Sequence, residues 1–437
     1  MEINVSKSLN DLAEIFSQNG GTLYIVGGYV RNAILGFCET DVDLCGALTT
    51  DEIRSFLDKD LYTIKVVNPK LGTIHINPKF SDEEYEYTTF RAENYQKGGK
   101  HSPLEVVFVK DIKLDASRRD FTANSIYYDI KNKTIIDFYN GVQDVNNRVL
   151  RTVETPEYVF NNDGLRMLRM VRIACELDFS INNDCFDTAC KMIDQLKDIS
   201  HERYNKEIVS ILFADYKYDH IKNPHSVIMG MKLLSQMKAW QYILPNICST
   251  VSTKIFNEKL QNGEWVKLLS LAPAPHRITT FTIDILNCLG LTLDKYNILN
   301  ILGINGIMLS HDEVELQTKI IVGYDTIMRG FLNEDDKRLF IQDYSDLLDR
   351  ICGVVNLVKP TNDLIILRDV MLLDNVPMSV SSLAINGNDL IEKFPKLNKK
   401  EFSNIFNQLL RLCCFAPELN NKKSLLGLVE KKYKKYI

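Results

Sequence analysis

The sequence predicts an α+β domain at the N-terminal side, followed by an all-helical remainder. Three observations carry this. Residues 23 to about 136 hold short β-rich runs (LYIV, TDVDL, LYTIKVV, TIHI, EYEYTTF, LEVVFV, TIIDFY), separated by glycines and charged turns and mixed with helical stretches such as VRNAIL. From about Asn162 the apolar residues recur at helical spacing, in LRMLRMVRIACEL, FDTACKMIDQLKDI and NKEIVSILFA. The chain has 437 residues, enough for about three structural units rather than one. Pro245, the APAPH stretch at 272–276 and Pro360 break the helical part and mark candidate subdomain borders.

Hydrophobic residues make up 45% and charged residues 25% of the chain, the balance of a soluble globular protein, which argues against extended disorder. No apolar run is long enough to span a bilayer, and the start, MEINVSKSLNDLAEIF, is amphipathic and mixed in charge rather than signal-like, so a cytoplasmic protein with no membrane partner is expected. The ten cysteines include no C-x-x-C pair, and Cys413 and Cys414 are adjacent, which suggests neither a zinc ribbon nor a disulfide framework. A net charge of −5 excludes a uniformly basic nucleic-acid binder and leaves room for a local basic groove.

The first chemical signal is Tyr24-Ile25-Val26-Gly27-Gly28-Tyr29-Val30-Arg31, an apolar strand running into paired glycines and then a helix. Paired glycines leave backbone N–H groups uncovered at a helix start, where a triphosphate binds well. A bare pair is equally the mark of a tight strand-to-helix turn. Asp41-Val42-Asp43-Leu44 follows within one short helix, in a β-prone run. Residues two apart on a strand share a face, so both carboxylates reach one pair of divalent cations, the arrangement that serves in-line displacement at phosphorus. Glu86, in Glu86-Tyr87-Thr88-Thr89-Phe90-Arg91, is the candidate third carboxylate, or an outward-facing strand glutamate like Glu84.

Arg118-Arg119-Asp120-Phe121-Thr122-Ala123-Asn124 then sets two cations, an acid and an amide within seven residues. Arginines suit phosphate oxygens, and an Asp or Asn suits ribose hydroxyls. A surface helix start capped by the Asp is the alternative. In Asn162-Asp163-Gly164-Leu165-Arg166-Met167-Leu168-Arg169, positions 163 and 166 are three apart, which on one helix face offers an acceptor beside a bidentate donor. That pair reads a base edge, or else forms an intrahelical salt bridge.

In their order, these segments resemble the class II CCA-adding enzymes and bacterial poly(A) polymerases of the polymerase-β nucleotidyltransferase superfamily. The family's Gly-Gly-x-Val-Arg-Asp turn and Asp-x-Asp appear as Gly27 to Asn32 and Asp41 to Asp43, with Asn32 in place of Asp. Arg-Arg-Asp-Phe-Thr-x-Asn is unaltered at Arg118 to Asn124, and a third motif resembles Asp137 to Arg151. Glu-Asp-x-x-Arg is matched at Asp163 and Arg166, with Asn162 where Glu is usual. Glu202-Arg203 and Glu207 match a further element, a helix brace, and Ile385 to Leu390 resembles the tail of the same enzymes. A phosphohydrolase His-Asp signature is missing, since His311-Asp312 lacks partners in sequence.

The resemblance implies a polymerase-β-like head with a mixed five-stranded sheet at 1–136, a neck at 137–215, and a helical body at 216–359 and tail at 360–437. It implies magnesium on Asp41 and Asp43, with Glu86 completing the catalytic carboxylates. Gly27, Gly28, Arg31, Arg119, Asp120, Asn124 and Arg169 would hold the nucleotide, and Asp163 and Arg166 its base. The substrates would be tRNA, CTP and ATP; no protein partner is expected. Lys431, Lys432, Lys434 and Lys435, interleaved with Tyr433 and Tyr436, are cations for RNA phosphates or for the end of a C-terminal helix. The stretch Arg91 to Pro103, with Gly98-Gly99, looks like the loop that CC-only enzymes lack. The alternatives are a poly(A) polymerase, a CC- or A-adding enzyme, and a non-catalytic RNA-binding protein.

Overall fold

A computed structural model describes residues 3–37, 41–94, 105–218, 225–261 and 263–433. Most of the stretch Arg91 to Pro103, and Lys434, Lys435 and Tyr436, lie outside the described residues. The chain forms two compact units, Met1–Trp265 with Asn300–Leu309, and Val266–Leu299 with Ser310–Ile437.

The first unit opens on α1 (Lys7–Gln18), whose start is capped by Ser6 and whose Leu9, Leu12, Ala13 and Phe16 recur at helical spacing and are all buried. The glycine turn joins β1 (Tyr24–Val26) to α2 (Gly28–Ile34). There follow β2 (Asp43–Gly46), α3 (Thr50–Phe56), β3 (Tyr62–Asn68), β4 (Thr73–Pro78) and β5 (Tyr85–Thr89). A hairpin of β6 (Arg91–Asn94) and β7 (Glu105–Phe108) leads to α4 (Ile112–Ser117), β8 (Ile126–Asp129) and β9 (Thr134–Asp137).

The main sheet runs β3-β4-β5-β2-β1-β8-β9. It is mixed, since β2 pairs with β5 in parallel and the other neighbours are antiparallel. Its seven strands correct the expected five: LYTIKVV forms an edge strand on β4, and TIID one on β8. One face packs on α1 and α3, with the Phe16 ring 5.6 Å from both Tyr87 and Phe56. The other buries Val26, Cys45, Phe90, Ala116 and Tyr127 in one cluster.

Beyond the sheet come α5 (Gly141–Asn146), α6 (Pro156–Asn162), α7 (Leu165–Leu177), α8 (Asn183–Met192) and α9 (His201–Leu212), as the helical periodicity predicts. Among the described residues of the second unit every element is a helix and none is a strand. There Ile385 to Leu390 proves to be a helix start: Asn386 caps Gly387–Lys393, and the Asp389 carboxylate accepts the Asn386 N–H in return. Among the described residues no helix is long and apolar enough to cross a membrane.

Candidate active site

Gly27 has φ 80° and ψ −133°, a conformation a side chain strains to adopt. A Cβ placed there would stand 3.8 Å from Asp43 Oδ2 and 3.9 Å from the Asn124 carbonyl oxygen. The turn therefore lies directly against Asp43. Asp43 is the first residue of β2, in register with Glu86 on β5, while the next registered pair, Leu44 and Tyr87, is buried on the opposite face. Alternation thus sets Asp43 and Glu86 side by side on one exposed face. Asp41 is also exposed but precedes the strand, so strand alternation fixes the direction of Asp43 alone. Glu86 Oε2 is 3.5 Å from His75 Nε2 on β4, and His75 Nδ1 also meets Glu84. Among the described residues no three His, Cys, Asp or Glu side chains converge as a metal-binding group.

Arg118 to Asn124 lies beyond the end of α4 and enters a single 3-10 turn, Thr122–Asn124, rather than starting an α-helix. Asp115 explains the pair of arginines. Its buried carboxylate is 2.7 Å from Arg118 Nη2 and 3.0 Å from Arg119 Nη2, and accepts the Tyr127 hydroxyl at 2.7 Å. Burial pushes its pKa up, but Arg118 and Arg119 override this and hold it well below the usual carboxylate range. Sequence reasoning passed over Asp115, though its i,i+3 and i,i+4 spacing to the arginines was a legible signal.

Asp120 is likewise buried. Its Oδ2 accepts Arg169 Nε at 2.9 Å and Nη2 at 2.6 Å, and its Oδ1 accepts Asn124 Nδ2 at 3.1 Å. Burial again opposes ionisation, and Arg169 and then Arg166 prevail. Asn124 Oδ1 accepts Arg31 Nη1 at 2.5 Å. Asp120, Asn124, Arg31 and Arg169 thus form one connected network. Because both carboxylates are depressed on folding, their stabilisation is full above the unfolded-chain pKa of about 4 and is lost as pH falls below it. Urea midpoints should be flat from neutral pH to about pH 5 and drop below about pH 4, and Asp120→Asn should remove part of that acid dependence. An unchanged acid limb in the variant would contradict this.

The expectation that Asp163 and Arg166 share a helix face is corrected. Asp163 lies between α6 and α7 in extended backbone, φ −153° and ψ 107°. An Asp ahead of a helix competes for the free N–H groups at its start, and Asp163 Oδ1 accepts Leu165 N at 3.0 Å. Its Oδ2 is 3.2 Å from Arg203 Nη2 on α9. Arg166 instead donates through Nη2 to the Arg118 carbonyl at 2.6 Å. Glu207 braces α9 to α7 through Arg172, 2.6 Å away, so the Glu202-Arg203 and Glu207 element divides its work between a brace and a contact to Asp163.

Asp163 and Arg166 nevertheless line one cleft of about 1320 Å³, together with Arg119, Asp120 and Arg169. Lys70, Arg91, Arg118, Arg119, Arg166, Arg169, Arg203 and Lys206 supply eight cations to its wall, against five acids, Glu93, Asp120, Asp163, Glu202 and Glu207. Such a cleft favours a polyanion.

A mixed sheet with a glycine turn beside paired carboxylates and a basic cleft defines a nucleotidyltransferase head, and residues 23–151 match the poly A polymerase head domain. The CCA-adding enzyme of Staphylococcus epidermidis is 31% identical over 296 residues, 68% of this chain and 69% of that protein. The chain belongs to the CCA-adding enzyme family. In fold it is similar to the Bacillus stearothermophilus CCA-adding enzyme solved in complex with CTP, with a TM-score of 0.72, 22% identity and coverage of 98% of this chain and 97% of that one. It is also similar to the Thermotoga maritima enzyme complexed with tRNA, with a TM-score of 0.57, 17% identity, and 98% and 96% covered.

Proposed function

We propose that this chain adds CCA to the 3′ end of tRNA, taking CTP and ATP as substrates and releasing pyrophosphate by two-metal phosphoryl transfer. The observation that carries this is the packing of Asp43 against the Gly27 turn, in register with Glu86. Asp41 and Asp43 would hold magnesium, which is commonly bound through one or two carboxylates with substrate phosphates completing the shell. Their exposed, all-oxygen donor set suits that ion. When bound, magnesium would neutralise charge on the reacting phosphate and leaving pyrophosphate. Gly27 and Gly28 leave room for the triphosphate to approach the backbone. Arg31, Asp120, Asn124 and Arg169 fix the turn relative to the cleft, Arg119 adds positive charge to its wall, and Asp163 and Arg166 meet the base. Glu86, held beside His75, completes the carboxylate face.

The division into head, neck, body and tail at 136, 215 and 359 fits this reading, with the helical part carrying the tRNA, and so does a cytoplasmic location. A poly(A) polymerase is the second reading, because the head match bears that description. Labelled CTP and ATP incorporation into a tRNA lacking its last three nucleotides, compared with an unrelated RNA, tests the proposal. Magnesium-dependent use of both triphosphates on the tRNA supports it. Use of ATP alone on either RNA selects poly(A) polymerase.

A further inference from the structure

Asn32, which follows Arg31 in α2, is completely buried. Its side chain is amphoteric in a way a carboxylate is not: Oδ1 accepts Arg31 Nε at 2.8 Å, while Nδ2 donates to the Tyr218 hydroxyl at 3.1 Å. The same hydroxyl accepts Arg31 Nη2 at 3.3 Å. Tyr218, which follows α9, is itself buried and stacks on Phe37 just past α2, with centroids 5.6 Å apart and planes 28° apart. One oxygen from the helical region thus receives two donors of the helix that follows the glycine turn. A buried donor without its acceptor is destabilising, so the hydroxyl constrains where Arg31 can point.

Arg31 passes that constraint on. Nη1 donates to Asn124 Oδ1 at 2.5 Å, Asn124 Nδ2 donates to Asp120 at 3.1 Å, and Asp120 takes Arg169 at 2.6 Å. The Asn124 carbonyl and Asp43 carboxylate flank the spot where a Gly27 Cβ would stand.

We infer that Tyr218 is a positioning residue for nucleotide transfer: its hydroxyl is the acceptor for Arg31 Nη2 beside the one that Asn32 Oδ1 offers to Nε, and so holds the glycine turn against Asp43. This rests on the proposed function. Tyr218 touches none of the reacting groups, so its loss should misalign the bound triphosphate rather than prevent its binding. Small misplacements of reacting atoms lower rates by up to about a hundredfold.

The test is steady-state kinetics of CMP addition to a shortened tRNA by the full chain, Tyr218→Phe, Asn32→Asp and Tyr218→Phe with Asn32→Asp, run well below each protein's melting temperature. Tyr218→Phe should lower kcat about tenfold and change the CTP KM less than about threefold. Asn32→Asp turns the orphaned donor into an acceptor for Arg31, so the double variant should recover most of the lost kcat. A Tyr218→Phe variant with a lower melting temperature and parental kcat overturns the inference, as does a double variant no faster than Tyr218→Phe. Absence of addition by the unsubstituted chain would instead remove the functional reading itself, a result distinguishable from a variant that matches an active parent.

Discussion

Asp43→Ala should abolish nucleotide addition, lowering the single-turnover rate by about a thousandfold or more, while tRNA affinity changes less than about twofold. The asymmetry follows from position. Asp43 sits at the exposed start of β2, against the Gly27 turn and beside Glu86, where the proposed reaction would develop charge. Electrostatic stabilisation of a transition state vanishes with the group that supplies it, whereas affinity for a nucleic acid is in general spread over many phosphate contacts. Asp41→Ala should behave similarly. Glu86→Gln should have a smaller effect, because Glu86 is shared with His75. Rapid-quench addition of one CMP, with filter binding of the same tRNA, separates the two quantities. CMP addition near the parental rate in Asp43→Ala would place the catalytic carboxylates elsewhere.

The second large effect concerns choice of base. Cytosine and adenine each present an exocyclic amino donor beside a ring-nitrogen acceptor, and uracil and guanine present the opposite order. A carboxylate and a guanidinium on the cleft wall match the first pattern, and a wrong base leaves buried polar groups unpaired at about 1–3 kcal/mol each. Asp163→Ala should therefore raise UTP or GTP use relative to CTP by about tenfold, besides slowing the correct reaction. The arrangement also brings in Arg203, whose contact orients the Asp163 carboxylate. Arg203→Ala should lower selectivity while leaving that carboxylate in place. Arg166→Ala should weaken CTP and ATP use together, since it frees the carbonyls that Arg166 ties to α7. Extension of a shortened tRNA with each of the four triphosphates in turn gives the ratios. Equal slowing for all four in Asp163→Ala would make the residue a helix cap and ion-pair partner only.

Much of this site was legible in the sequence, for physical reasons that also explain where legibility stopped. The glycine turn and the Asp43 strand are local: a positive φ needs glycine, and alternation along four residues sets which face a carboxylate takes. The helical remainder announced itself through apolar spacing. Long-range pairings left no such trace. The register of Asp43 with Glu86 comes from parallel strands far apart in the chain, and Asp120 finds Arg169 forty-nine residues further on. Asp163 looked like a helix-face partner of Arg166 because three residues separate them, yet Gly164 and the helix start turned it into a cap that faces Arg203. The two extra edge strands were visible as β-rich runs and were missed only in the count the family resemblance implied.

Sequencing the 3′ ends of a tRNA that lacks its last three nucleotides, after incubation with the protein, magnesium, CTP and ATP, decides whether the chain adds CCA. The ends should read CCA and then stop, with addition halting after two C residues when ATP is withheld. Ends extended by runs of A with no C, or ends unchanged while Asp43→Ala and the parent behave alike, would contradict it.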